Sequence, residues 1–165
     1  MPGMDAKDKQ KAYDSVLPRI RELIADETDL IAVMATVACE LHHAFDHYDW
    51  TGFYRVVGPG SLKVGPYQGS HGCLAISFDR GVCGAAARLR QTQIVPDVHA
   101  FPGHIACSAS TRSEIVVPVM NFEGTLVAVL DVDSDRPAAF DEVDGTGLAE
   151  VCRMVGAVTQ ATDAG

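Results

Sequence analysis

At 165 residues the chain can build one domain with a true hydrophobic core and is too short for two. Its apolar fraction of 47% and charged fraction of 21% exclude extended disorder, which needs low hydrophobicity and high charge. A formal net charge of −9 argues against nucleic acid as a partner, because phosphate recognition rests on cationic side chains. The apolar runs are too short to span a membrane, and the one over 126–130 stops at Asp131. Residues 1–11 are polar and mixed in charge, unlike a secretory signal. A cytoplasmic location is therefore expected, where thiols stay reduced.

Residues 1–10 read as a flexible tail. Tyr13, Val16, Leu17, Ile20, Leu23 and Ile24 then recur at helical spacing, with Pro18 expected to kink that helix or reset its start. Leu30, Met34, Val37, Ala38, Leu41 and Phe45 form a second amphipathic stripe behind the cap candidates Thr28 and Asp29. Strands are predicted over 50–57 and 62–67 around a Gly-Pro-Gly turn, and over 73–78. Ala85, Ala86 and Ala87 mark a short helix over 81–89, and 93–98 is a short extended piece. Residues 98–112 show no periodicity, and a loop of that length in a small domain is usually functional. Strands follow over 114–120 and 125–132, joined by a turn over 121–124. Asp141 caps a last helix with Leu148, Val151, Cys152, Val155 and Val158 inward. No repeat or linker interrupts this order. It predicts a single α+β domain over 1–165, with N- and C-terminal helices on one face of a mostly antiparallel sheet.

The five cysteines are odd in number, and none forms a Cys-x-x-Cys pair, which argues against a zinc ribbon or a thioredoxin-like dithiol. Cys39 and Cys152 sit among apolar helix positions and read as small hydrophobes. Cys73 follows Gly72 at a strand start. Cys83 lies at a strand-to-helix junction, where a helix N-terminus can lower a thiol pKa. Cys107 lies in the long loop, three residues after His104 and five before Arg112. On composition alone these three read equally as small residues or as reactive thiols. His71-x-Cys73 and His104-x-x-Cys107 permit metal ligation but match no familiar zinc signature, so no metal is expected.

Three acids stand out: Glu114 opening a strand, and Asp131 and Asp133 two apart on one strand face. They read either as a solvated strand end or as a cluster that binds a cation and keeps one carboxyl protonated. Trp50 and Tyr54, four apart on one strand face, read as core or as the wall of an apolar pocket.

Six segments together resemble the free methionine-(R)-sulfoxide reductases, which are GAF-domain enzymes. They are Trp50-Thr51-Gly52-Phe53-Tyr54, Gln68-Gly69, Gly81-Val82-Cys83-Gly84, His104-Ile105-Ala106-Cys107, Ser113-Glu114-Ile115-Val116-Val117-Pro118 and Leu130-Asp131-Val132-Asp133-Ser134. The likeness runs in order from the second helix to the last. Departures are Ser108, where the family often has an acid, Leu74-Ala75-Ile76, where a basic residue is common, and a turn over 121–124 that is one residue longer than is usual.

The resemblance implies a GAF domain, an R preference, and Cys107 as the nucleophile toward the sulfoxide sulfur. It implies Cys73 as the resolving thiol and Cys83 as an auxiliary or alternative resolving one. Glu114, Asp131 and Asp133 are implied to hold the substrate ammonium and assist proton transfer, and Trp50 and Tyr54 to line the S-methyl end. It further implies a homodimer with no resident cofactor, recycled by an external dithiol such as thioredoxin. A sulfenic acid on Cys107 would condense with Cys73 to a disulfide. Acids left unpaired by a peptide-bound substrate would favour the free amino acid. The rival reading is a non-catalytic GAF module that binds a small molecule or senses redox state.

Overall fold

The computed structural model describes residues 3–105 and 107–158. Helices α1 (Ala6–Leu23) and α2 (Leu30–Ala44) precede strands β1 (Trp50–Gly58), β2 (Ser61–Gln68) and β3 (Ala75–Ser77). Helix α3 (Gly81–Leu89), strands β4 (Gln93–Val95), β5 (Ser113–Met120) and β6 (Leu126–Ser134), and helix α4 (Glu142–Val158) complete the order. The strands form one sheet in the order β3-β2-β1-β6-β5-β4, with every neighbouring pair antiparallel.

Side chains alternate across the sheet and so divide the core in two. Phe53, Ile115, Val117, Leu130 and Val132 face one way and are covered by α1, α2 and α4. Trp50, Tyr54, Val116 and Val129 face the other way, where Val82, Ala86 and Ala87 of α3 meet them. The N- and C-terminal helices share a face, as the sequence order predicts. The short helix sits alone on the opposite face and, with the loops around it, covers the second core.

Four local expectations change. The tail expected over 1–10 is helical from Ala6, with the Asp5 side chain accepting from Asp8 N at 2.8 Å; Met1 and Pro2 lie outside the described residues. Helix α1 continues through Pro18, because Pro18 and Asp14, whose carbonyl loses its partner there, are both exposed to water. The third strand begins only at Ala75, so Cys73 lies in the preceding loop. The irregular segment 98–112 contains one short 3-10 turn, Val98–Ala100. Its base is pinned by Val98 N donating to Arg112 O at 3.0 Å and by Arg112 N donating to Ser134 O at 2.8 Å.

The helix start is held by a buried polar cluster. Lys9, 3% exposed, donates to Asp144 Oδ2 at 2.5 Å, to Asp141 Oδ2 at 3.0 Å and to Ala139 O at 2.7 Å. Tyr13 donates to the other Asp144 oxygen at 2.8 Å. The absent side chain of Gly147 makes room for the Tyr13 ring, since a Cβ there would lie 2.5 Å from Cδ1. Asp144 is fully buried, so removing its cation strands a charge in the interior. Lys9→Met is expected to lower stability by about 3 kcal/mol or more, read as a shift in the urea midpoint at unchanged slope.

Candidate active site

The site is built outward from strand β6. Because Leu130 and Val132 are committed to the helix-covered face, Asp131 and Asp133 point to the α3 side. The register places Asp133 between Trp50 of β1 and Glu114 of β5, and Asp131 between Gly52 and Val116. Three carboxyls and an indole thus share one patch of an otherwise apolar sheet. Cys83, in the first turn of α3, caps it, with Sγ donating to Glu114 Oε1 at 3.9 Å.

One wall is aromatic. The Trp50 indole donates to Ser70 O at 2.8 Å and stacks between Tyr67 and Tyr54, with centroids 5.2 and 5.7 Å away. Gly52 leaves the space beside the indole, since a Cβ there would lie 2.7 Å from Trp50 Cη2. Gly72 plays the same part beside Tyr54, whose Oη would be 3.0 Å from an added Cβ.

The rim is formed by two loops that carry the remaining thiols. Cys73, before β3, and Cys107, in the pinned loop, are joined in a disulfide with Cα atoms 5.4 Å apart. Both residues are partly exposed. Ile105 from the same loop packs on Gly81, whose positive φ of +70° starts α3. Rim, aromatic wall and acidic floor enclose a cavity of about 240 Å³.

Electrostatics separate the floor residues. Burial pushes the Glu114 carboxyl well above the carboxylate range, and the charges of Asp131 and Asp133 push it further. Asp133 is raised by burial and then by Asp131, Asp135 and Asp49. Asp131 is raised by burial only to about 6, because hydrogen bonds from Glu114 and Cys83 favour its ionised form. Asp131 is therefore the acid that ionises first. Its Oδ1 is buried with no hydrogen-bond partner among the described residues.

Of the two readings of Cys83, the structure does not favour the dipole-activated thiol. It is 3% exposed, and burial, followed by the fields of Asp131, Glu114 and Asp133, raises its pKa well above the normal thiol value. Three nearby acids outweigh the partial charge of one helix terminus. His104 lines the cavity near Cys107, but burial and His99 lower its pKa, so at neutral pH it supplies no positive charge to the rim.

Of the eight site residues singled out in the sequence, Cys83, Cys107, Glu114, Asp131, Asp133, Trp50 and Tyr54 line this one cavity, and Cys73 is joined to it through its bond to Cys107. Of the His/Cys spacings considered for a metal, the two cysteines are bound to each other, and His71 and His104 line the same cavity. Among the described residues the ligand-like grouping is Cys83, Glu114 and Asp131. Sequence reading missed the supporting roles of Gly52, Tyr67 and Asp49. Asp49 Oδ2 accepts from Asp135 N at 2.8 Å and ties the start of β1 to the end of β6. The signal for Asp49 was an acid directly before the lone tryptophan.

A six-stranded antiparallel sheet with helices on both faces and a pocket under the short helix defines a GAF domain, and residues 24–159 match that family. YtsP of Bacillus subtilis is 44% identical over 144 residues, covering 87% of this chain and 88% of its own. The free methionine-R-sulfoxide reductase of Escherichia coli is 36% identical over 155 residues, covering 94% and 93%. A solved structure of the Neisseria meningitidis free methionine-R-sulfoxide reductase with its substrate is 41% identical, with a TM-score of 0.90, covering 99% of this chain and 95% of that one. This chain belongs to the free methionine-R-sulfoxide reductase family of GAF-domain proteins.

A carboxylate with a raised pKa favours the folded state while protonated and loses that contribution as pH rises. Asp131, raised to about 6, therefore costs stability at pH 7. Asp131→Asn is expected to stabilise the protein by roughly 1–3 kcal/mol at pH 7, and by much less at pH 4. Thermal unfolding at the two pH values checks this.

Proposed function

We propose that this protein reduces free L-methionine-(R)-sulfoxide to L-methionine with a cysteine nucleophile. The observation that carries the proposal is the Cys73–Cys107 disulfide on the rim of a cavity floored by buried acids. A dithiol able to close into a disulfide supplies the two electrons that sulfoxide reduction consumes. The relatives named free methionine-R-sulfoxide reductases support the substrate and its hand.

The Cys107 thiolate attacks the sulfoxide sulfur while a carboxyl protonates the sulfoxide oxygen. Oxygen passes to the cysteine, methionine leaves, and Cys107 becomes a sulfenic acid. The Cys73 thiol displaces that hydroxyl, forming the disulfide and water. An external dithiol, thioredoxin, then restores both thiols and is itself oxidised. The net reaction consumes one dithiol and one sulfoxide and yields methionine, water and a disulfide. No resident cofactor takes part. A homodimer in the cytoplasm is the expected working form.

The floor residues divide the labour by their pKa values. Asp131, ionised at neutral pH and with one oxygen unpartnered among the described residues, pairs with the substrate ammonium. Glu114 and Asp133, held protonated by burial and by neighbouring charge, supply the proton for the sulfoxide oxygen. Trp50 and Tyr54 pack on the S-methyl end. A peptide-bound residue lacks the ammonium and leaves Asp131 unpaired, which selects the free amino acid. Cys83, buried and protonated against Glu114, is assigned to holding that carboxyl rather than to nucleophilic attack.

Cys107→Ser is expected to abolish methionine formation from free methionine-R-sulfoxide, and retained full activity would refute the assignment. Cys73→Ser is expected to release roughly one methionine per site and then stall with thioredoxin. Chirally resolved substrate with thioredoxin and its reductase provides the assay. A sensor module would bind the sulfoxide and return it unchanged.

Ammonium binding needs the charged form of Asp131. With Cys107→Ser protein, which binds without turnover, sulfoxide affinity should be level above the Asp131 pKa of about 6. It should weaken by about tenfold per pH unit below it. Calorimetric titration across that range provides the test, and a flat profile would remove Asp131 from ammonium binding.

A further inference from the structure

The buried trio under α3 offers a donor set that an amino-acid ammonium does not fully use. Cys83 Sγ, a Glu114 oxygen and an Asp131 oxygen all lie within 4.8 Å of one another, and each residue is buried. Two of these atoms, Cys83 Sγ and Glu114 Oε1, are 3.9 Å apart. In a tetrahedral zinc site, neighbouring ligand atoms stand roughly 3.5 Å apart. That edge must contract by a few tenths of an ångström and no edge by more than about 1.3 Å, within reach of side-chain rotation. Independently, Asp131 is 5% exposed, with Oδ1 lacking any partner among the described residues, which marks the place of a cationic occupant.

The geometry points to a second use of this floor: it binds one thiophilic divalent cation, Zn²⁺ or its analogue Cd²⁺, on Cys83, Glu114 and Asp131, to the exclusion of the substrate ammonium. The exclusion rests on the reductase reading above; the metal site does not. The thiol sets the selectivity. Ca²⁺ and Mg²⁺ demand six or more oxygen donors, whereas a thiolate with two carboxylates suits a borderline-soft ion of low coordination number. Three protein donors beside an open cavity leave a coordination position for water. Binding deprotonates the Cys83 thiol and the Glu114 carboxyl, and both protons pass to solvent. No electrons move. The redox pair takes no part, so the site exists in oxidised protein as well.

The test uses the full chain with its Cys73–Cys107 disulfide intact, which leaves Cys83 as the only thiol at the cavity. Cd²⁺ is titrated in while the ultraviolet sulfur-to-cadmium charge-transfer absorption is followed. One equivalent should raise the band, Cys83→Ser should lose it, and Cys39→Ser should keep it. Glu114→Gln keeps the thiolate, so its band should persist while affinity falls by about tenfold or more. That variant decides the matter should Cys83→Ser fail to fold. Absence of a band in the unaltered protein, a band that survives Cys83→Ser, or Glu114→Gln affinity equal to the parent overturns the site. Excess methionine sulfoxide should weaken the apparent Cd²⁺ affinity, and no shift overturns the exclusion. Turnover by metal-free reduced protein is measured separately. An inactive protein that still shows the one-equivalent band refutes the reductase reading and leaves the metal site standing.

Discussion

The two-residue alternation along β6 is the constraint on which the site depends. Leu130 and Val132 are needed beneath α1, α2 and α4, so Asp131 and Asp133 have no freedom to turn outward. A one-residue slip would bury the two acids under the helices and expose the leucine and valine to the pocket. The apolar energy of one face therefore fixes the polar chemistry of the other. Cross-strand pairing extends this order to the neighbours, setting Trp50 and Glu114 on either side of Asp133 and opening a gap at Gly52.

The pocket carries a thermodynamic strain that the rest of the fold absorbs. Three carboxyls on a hydrophobic sheet meet a thiol from α3, and one carboxylate oxygen is unsatisfied among the described residues. Such a cluster is unfavourable on its own. The two cores flanking the sheet, and the Lys9–Asp144 pair that docks α1 on α4, hold it in place. The four floor groups respond differently to the same burial because their neighbours differ. Asp131 receives hydrogen bonds that ease its ionisation, while Glu114 and Cys83 face charges that oppose theirs.

The main architecture was legible in the sequence because periodicity reports which face is buried. The amphipathic stripes of α1, α2 and α4, and the strands β1, β5 and β6, followed from it. The gathering of Cys73, Cys107 and the acids was legible only through resemblance to a family, since pairing across 34 positions leaves no local trace. Lys9 was misread because a lysine ahead of an apolar stripe resembles a tail, and its carboxylate partner lies 135 residues away. Pro18 was misread because its cost depends on whether the orphaned carbonyl reaches water. The Cys83 environment was misjudged because the helix dipole is local and visible, whereas the opposing acids come from two distant strands. Gly52 was quoted as part of a motif, but its purpose, space for an indole, is a property of the packed sheet.

The bridge between Cys73 and Cys107 also acts as a brace. It ties together a 34-position span that holds the edge strands β3 and β4 and the helix α3 that roofs the second core. Closing a loop of that size restricts the unfolded chain by about 4 kcal/mol in the chain-entropy picture. On the proposed chemistry, the spent form of the protein is thus the sturdier one, and the form ready to react is the looser. Each catalytic cycle alternately tightens and slackens the roof over the acids, so heat or protease would strike hardest when the protein is armed.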